Sequence, residues 1–455
     1  MGGHPVTLLD LKQIRETLAR TEPCVLAGRV VRASGIVIEA TLPQVAVGTS
    51  CEVRTTDHRS VTAEVVGFSG SRAILMPFGD VRGIGEGCAV IPRASAGEIL
   101  VGEALLGRVV DAAMRPLDDR PSPLLPTRAP LHAPPPPAMS RRRISKPLVL
   151  GIRSIDACLT CGEGQRMGIM SGPGVGKSVL LGMLARSADA DVVVVALVGE
   201  RGREVREFVE RDLGPGLQRS VVVVATGDEP PLVRVRAAMG ATAVAEYFRS
   251  HGKRVLLLLD SLTRVAMAQR EIGLAAGEPP TARGYPPSVF ALIPRLVERA
   301  GNVAGMGSIT AMYTVLAEGD DLTDPVVDAA RACLDGHIVL ARKLAQQGHF
   351  PAVDVLASVS RVMNDIVTRR HRELAQEVRE VLAAYRESAD LIEVGAYASG
   401  SNPRVDRALR SIHEVNRVLR QGPEERFPLD QTLAELKRAL ETQGPSPGST
   451  KAGAP

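Results

Sequence analysis

Ser171-Gly172-Pro173-Gly174-Val175-Gly176-Lys177-Ser178 is the stretch that decides the fold: an apolar run over 167–170 leads into it and a helix-forming run leaves it. The glycines let successive backbone N–H groups converge on one concavity, the helix that follows adds the positive end of its dipole, and Lys177 adds a full charge. These are the parts of a phosphate-binding loop. Gly172, Pro173, Gly174, Val175, Gly176, Lys177, Ser178 and Val179 are the expected contacts of a nucleotide, with the Ser178 hydroxyl on Mg2+. The usual pattern begins with Gly where this chain has Ser171. A serine is tolerated there if it closes the strand with negative φ and leaves the curvature to Gly172, Gly174 and Gly176.

The surroundings fit a buried parallel sheet. Apolar runs at 167–170, 192–198, 221–225, 255–259 and 309–315 alternate with helical stretches, the pattern of strands covered on both faces. Upstream, from about 24 to 95, short β-branched runs such as Val61-Thr62-Ala63-Glu64-Val65-Val66 are broken by Gly every 8 to 12 residues, the rhythm of a small β-barrel. Leu8, Leu11, Ile14 and Leu18 fall at helical spacing in an amphipathic N-terminal segment, suited to a partner, a membrane surface or its own domain. A Pro-dense connector over 115–147, with Pro134-Pro135-Pro136-Pro137, reads as an extended, well-ordered crossing or a linker, and its basic run Arg141-Arg142-Arg143 as a solvated loop rather than a contact for acidic lipid. Beyond about 365 the pattern is helical, and the Pro/Gly/Ser tail is expected to be disordered. The domains expected are 1–97 for the N-terminal helix and barrel, 98–365 for the nucleotide-binding core, 366–442 for a helical domain and 443–455 for the tail.

Composition narrows the function. A chain of 455 residues exceeds one compact core. No run approaches a membrane span and the first 30 residues lack a signal-peptide core, so a cytoplasmic protein is expected. A net charge of +4 from 55 basic and 51 acidic residues, with 3% aromatics and no Trp, gives nucleic acid neither a basic field nor stacking platforms. Of the six cysteines only Cys158 and Cys161 have a spacing that could mean chemistry, and no second pair completes a zinc set, so they read as small buried hydrophobes.

Two further motifs supply what hydrolysis needs beyond a phosphate cradle. Leu256-Leu257-Leu258-Leu259-Asp260 sets a carboxylate at the end of a buried strand, where it can orient a Mg2+ shell opposite Ser178. Gly199-Glu200-Arg201-Gly202-Arg203-Glu204 follows another strand at the same edge, with Glu200 suited to polarising a water and Glu204 within reach of the metal shell.

With Thr160-Cys161-Gly162-Glu163-Gly164-Gln165-Arg166, Asp260-Ser261-Leu262-Thr263-Arg264, Arg283-Gly284-Tyr285-Pro286-Pro287-Ser288-Val289-Phe290, Asp335-Gly336-His337-Ile338-Val339-Leu340 and Ser358-Val359-Ser360-Arg361 added, the chain resembles the catalytic, β-type subunits of rotary-like ATPases, and among them the ATPases of type III protein secretion. The resemblance covers about 25–440. It implies an N-terminal β-barrel, a RecA-like α/β core with a P-loop, a C-terminal helical domain, and a homo-hexameric ring with ATP and Mg2+ between subunits. It also implies roles for single residues. Lys177 and Ser178 hold phosphate and Mg2+, Glu200 is the catalytic carboxylate and Arg201 its neighbour around the γ-phosphate. Asp260 orients Mg2+ with Arg264 beside it, Arg361 is an arginine finger for the neighbouring subunit, and Phe350 packs on adenine. The implied work is to detach chaperones from export substrates and unfold them at the cytoplasmic face of the inner membrane, with stator and stalk proteins and chaperone–effector complexes as partners. The Thr160–Gln165 motif and Ser171-Gly172-Pro173 lean toward the injectisome branch. The flagellar export ATPase, an ATP synthase β-subunit and a non-catalytic ring subunit are the other readings, the last opposed by Glu200.

Overall fold

The computed structural model describes residues 26–93, 97–316 and 324–441. The N-terminal helix and the tail expected from the sequence lie outside these residues. The chain divides into two compact units, 1–96 and 97–455.

The first unit is a closed six-stranded antiparallel barrel. Its strands follow one another around the wall as Gly28–Ser34, Val37–Thr41, Arg72–Pro77, Ser60–Ser69, Ser50–Arg54 and Ala89–Pro92, the last pairing back to the first. Alternation decides which residues face inward. In Ser60–Ser69, Ala63 and Val65 are fully buried with Val30, Ile38, Val53, Leu75 and Val90, while Thr62 points out.

The second unit is built on a nine-stranded sheet. Its order is Val353–Ser360, Gly336–Leu340, Arg166–Ser171, Ser308–Leu316, Arg254–Asp260, Val192–Glu200, Ser220–Thr226 and Arg108–Asp111, with Gly301–Asn302 added beside Ser308–Leu316. All neighbours along this path are parallel except Val353–Ser360, which runs antiparallel to Gly336–Leu340. The five apolar runs read from the sequence are five of these strands, and helices such as Lys177–Ser187, Pro231–Ser250 and Leu262–Ala275 connect them. A parallel sheet needs such crossovers, and they leave the strand interiors dry: Val193–Ala196 and Leu256–Leu259 are each at 0% exposure.

Three helices follow, Arg369–Glu393, Pro403–Leu419 and Leu429–Glu441. Val378, Val381, Ala408, Ile412, Val415, Leu436 and Ala439 form their buried stripes, three and four residues apart, and belong to the same apolar cluster as the sheet. Arg141, the first of the three connector arginines, is more tightly held than a solvated loop allows. The Arg141 guanidinium donates to the Glu298 and Ala300 carbonyls at 2.6 and 3.3 Å and pairs with the Glu298 carboxylate, because the end of helix Pro287–Val297 leaves carbonyls without helical partners. Arg143 is exposed and pairs with Asp365. Cys158 and Cys161 are fully buried, and burial pushes both thiols up, Cys158 to about 12, so they stay protonated and packed. No helix among the described residues is long and apolar enough to cross a membrane.

Candidate active site

Parallel strands end together, so the residues just past their carboxyl ends share one edge of the sheet. Strand Arg166–Ser171 ends at Ser171, and the chain turns through Gly174 and Gly176, whose φ values of +77° and +85° only glycine takes freely, into helix Lys177–Ser187. Two of the three expected glycines thus carry the curvature. Pro173, Gly174 and Ser178 are exposed, Val175 is buried, and Val179 is half-buried against the core.

Lys177 begins this helix and reaches across the edge. Its Nζ lies 2.6 Å from Asp260 Oδ1 and 3.2 Å from Glu200 Oε1. Asp260 closes strand Arg254–Asp260 and is 2% exposed, and the Thr314 hydroxyl donates to its Oδ1 at 2.6 Å. Glu200 comes in by way of a bulge. The register slips between Val198 and Glu200 where Gly199 has φ +76°, and a Cβ on Gly199 would lie 2.9 Å from the Arg264 side chain. Glycine therefore lets helix Leu262–Ala275 approach the turn that aims Glu200.

The electrostatics are those of a cation between two carboxylates in a poorly hydrated place. Burial drives the Asp260 carboxyl above its ordinary range while Lys177 pulls the other way. Burial also presses Lys177 toward its neutral form, but Asp260 and Glu200 outweigh it and hold the ammonium above the usual lysine value. At this edge the backbone cradle, the helix N-terminus, the ammonium, the Ser178 hydroxyl and two acidic side chains face one another. That donor set suits a magnesium nucleotide: N–H groups and a cation for phosphate, hard oxygens for Mg2+. Phe350 stands at the rim, 46% exposed, its ring carbons 3.5 and 3.6 Å from where a Cβ on Gly176 would be.

Three expected site residues are not brought into this cluster. Arg201 and Glu204 flank the start of the short helix Gly202–Glu207 and pair with each other at 3.6 Å, with 78% and 40% of their side chains exposed. Arg361 lies at the opposite edge. Strand Val353–Ser360 is antiparallel, so its end faces the beginnings of the parallel strands: Ser360 pairs with Gly336, and His337 with Gly168. Ser360 is thus level with Met167, four residues short of Ser171, or about 13 Å along the strand at ~3.3 Å per residue. The Arg361 side chain is exposed and makes no ion pair among the described residues. Thr314 is a contact that the sequence reading missed; strand Ser308–Leu316 also holds Ser308 and Thr310, so a threonine in this strand does not by itself mark it.

Comparison with known proteins fits this geometry. The nucleotide-binding domain of the ATP synthase alpha/beta family matches residues 151–360, its beta-barrel domain 30–93, and a type III secretion ATPase C-terminal domain 367–438. The flagellum-specific ATP synthase of Pseudomonas aeruginosa is 51% identical over 91% of this chain and 93% of its own length. The chain belongs to the flagellar and type III secretion ATPases. It is an ATPase by membership of that family. Within the family, the type 3 secretion system ATPase of Sinorhizobium fredii is 49% identical over 94% of this chain and 95% of its own. The assembled ATPase EscN of the enteropathogenic E. coli type III secretion system superposes with a TM-score of 0.86 at 43% identity, covering 91% of this chain and 100% of EscN, which has also been solved with its central stalk EscO. Identities of 51% and 49% do not separate the two branches of these ATPases.

Proposed function

We propose that this chain hydrolyses Mg-ATP at sites shared between copies in a homo-hexameric ring and powers protein export by a type III apparatus. The observation that carries the reading is the meeting of Lys177, Glu200 and Asp260 at the mouth of the P-loop, with Arg361 at the far edge of the same sheet. In this reading Lys177 and the 172–179 backbone hold the phosphates, Ser178 and Asp260 hold Mg2+, Glu200 polarises the attacking water, and Phe350 packs on adenine. Bound ATP draws Lys177 from the carboxylates onto the phosphates, which frees Glu200 for the water. Glu204 and Arg201 enter the site only if their loop turns inward on binding. Arg361 is too far along the sheet for its own nucleotide, which fits a finger that serves the next copy; such a group is worth roughly 10³–10⁵ in rate.

The assembled EscN and its complex with a stalk support a ring with a stalk partner. A stator, chaperone–effector complexes, substrate unfolding and a place at the cytoplasmic face of the inner membrane complete the proposal. The Thr160–Gln165 motif favours the injectisome branch over flagellar export. ATPase rate per subunit, followed from nanomolar to tens of micromolar protein with light scattering for mass, tests the core of it. A rate that climbs as a hexamer appears is expected; a flat rate from a monomer overturns shared sites.

A further inference from the structure

The amino edge of the sheet contains a buried amide that has no part in phosphate binding. Gln165 is 0% exposed and immediately precedes strand Arg166–Ser171. Its Oε1 accepts from the Gly162 N–H at 2.8 Å, and its Nε2 donates both to the Asp335 carbonyl and to the Ser360 hydroxyl, each at 3.1 Å. Ser360 in turn donates to the Thr160 carbonyl at 2.9 Å. The Asp335 carbonyl also accepts the backbone N–H of Arg361 at 3.0 Å, and the Asp335 carboxylate is clamped by Arg166 through two bonds of 2.9 Å. Three separate segments therefore converge on one side chain, and the residue that leaves the junction is Arg361.

We infer that Gln165, with Ser360 and Asp335, positions Arg361 for the nucleotide of the neighbouring copy. The inference rests on the proposed role of Arg361. The physical need is clear: Arg361 follows an antiparallel edge strand, bordered on one side only, and its exposed side chain is not tied down by an ion pair among the described residues. An arginine that must meet developing charge needs a fixed base, since a shift of about 1 Å is worth roughly 10²-fold in rate. Gln165 supplies it by joining the last residue of that strand to the carbonyl that holds the Arg361 N–H. An apolar residue of the same length would leave the buried Gly162 N–H without its acceptor and take one bond each from the Ser360 hydroxyl and the Asp335 carbonyl.

Gln165 has a rival role, support of the P-loop strand that it precedes, and a double-mutant cycle separates the two. Turnover at saturating Mg-ATP and the affinity for a fluorescent ADP are measured on full-length assembled protein for Gln165→Met, Ser360→Ala, Arg361→Ala and the two doubles with Arg361→Ala. Gln165→Met is expected to lower turnover about ten- to hundredfold, with nucleotide affinity within about twofold of the parent. Added to Arg361→Ala it should change nothing beyond about twofold, because the group it positions is already gone. Losses that multiply, a fall in affinity, or normal turnover in Gln165→Met overturn the inference. If Arg361→Ala alone keeps the parental rate, the finger reading fails and takes this inference with it; if Arg361→Ala is impaired but the losses multiply, only this inference fails. Should Gln165→Met not assemble, Ser360→Ala, which deletes one hydroxyl, carries the same cycle, and the same results support or overturn the inference.

Discussion

The two edges of the central sheet are built on different plans. At the carboxyl edge Lys177 is shared between Glu200 and Asp260, Ser178 is exposed, and Gly174 and Gly176 carry the turn of the loop. At the amino edge Gln165 has both its amide nitrogen and its carbonyl bonded, and Arg166 grips Asp335 twice. The difference teaches where function is placed. One edge has donors and charges that a ligand can take over, while the other spends its polar groups on holding the chain still. An arginine leaving the second edge fits the proposed finger for a neighbouring copy.

The strongest break of that contrast is Lys177→Ala. It removes the charge on which the cradle depends and leaves Asp260 buried without its cation. Affinity for a fluorescent ATP analogue should fall at least about 10²-fold, the worth of one or two charge-assisted bonds of ~1.5–3 kcal/mol each. Unchanged binding would mean that the carboxylates, not phosphate, are what Lys177 serves. Arg361→Ala tests the other edge alone. Turnover should fall roughly 10³-fold or more with nucleotide affinity and ring mass unchanged, and the steep dependence of rate on protein concentration should disappear from what remains.

Glu200→Gln keeps the shape of the first edge while removing the charge of its proposed base. Binding and assembly should persist and hydrolysis should drop about 10²–10⁴-fold, measured as single-turnover phosphate release. Retention of most of the rate would show that another group positions the water. This variant also probes how much can be read from the sequence. The P-loop, the run ending at Asp260 and the turn at Glu200 are legible because each is local: a few residues with a fixed spacing dictate backbone and charge. The five apolar strands are legible for the same reason. What is absent from the sequence reading is long-range. Asp260 is read there at the P-loop edge but not in contact with Lys177, 83 positions away, and Thr314, 54 positions from that aspartate, is missed. Gln165 figures there only as part of a family motif, although a glutamine at the head of an apolar strand is itself a hint of a buried bond. Arg141 reads as a solvated charge because nothing local says that the carbonyls after Val297 lack partners.

A pH change touches the first edge more gently. His349, next to Phe350, is 4% exposed, and burial, with Arg420 nearby, holds its imidazole at about 4, below the ordinary 6.5. The folded state therefore binds this proton less readily than the unfolded chain, and the stability tied to a neutral His349 is present above about 6.5 and lost as pH falls through about 4. Melting temperature should decline over that window, and less so in His349→Gln. An identical acid-side decline in both proteins would place the loss on the carboxylates instead.

Ser171→Ala should have the smallest effect, and it bears on the one departure from the usual loop. Ser171 is 2% exposed, and its hydroxyl has no hydrogen-bond partner among the described residues. A buried, unpaired hydroxyl costs about 1–3 kcal/mol, so its removal should leave stability unchanged or raise it by up to ~1 kcal/mol once the lost packing is counted, read from denaturant midpoints. Turnover should stay within about twofold, since the curvature of the loop falls on Gly174 and Gly176. A marked loss of turnover would mean that the hydroxyl bonds the bound nucleotide. Ser171 would then belong with the groups that the carboxyl edge leaves open for its ligand, and the contrast between the two edges would extend one residue further back into the strand.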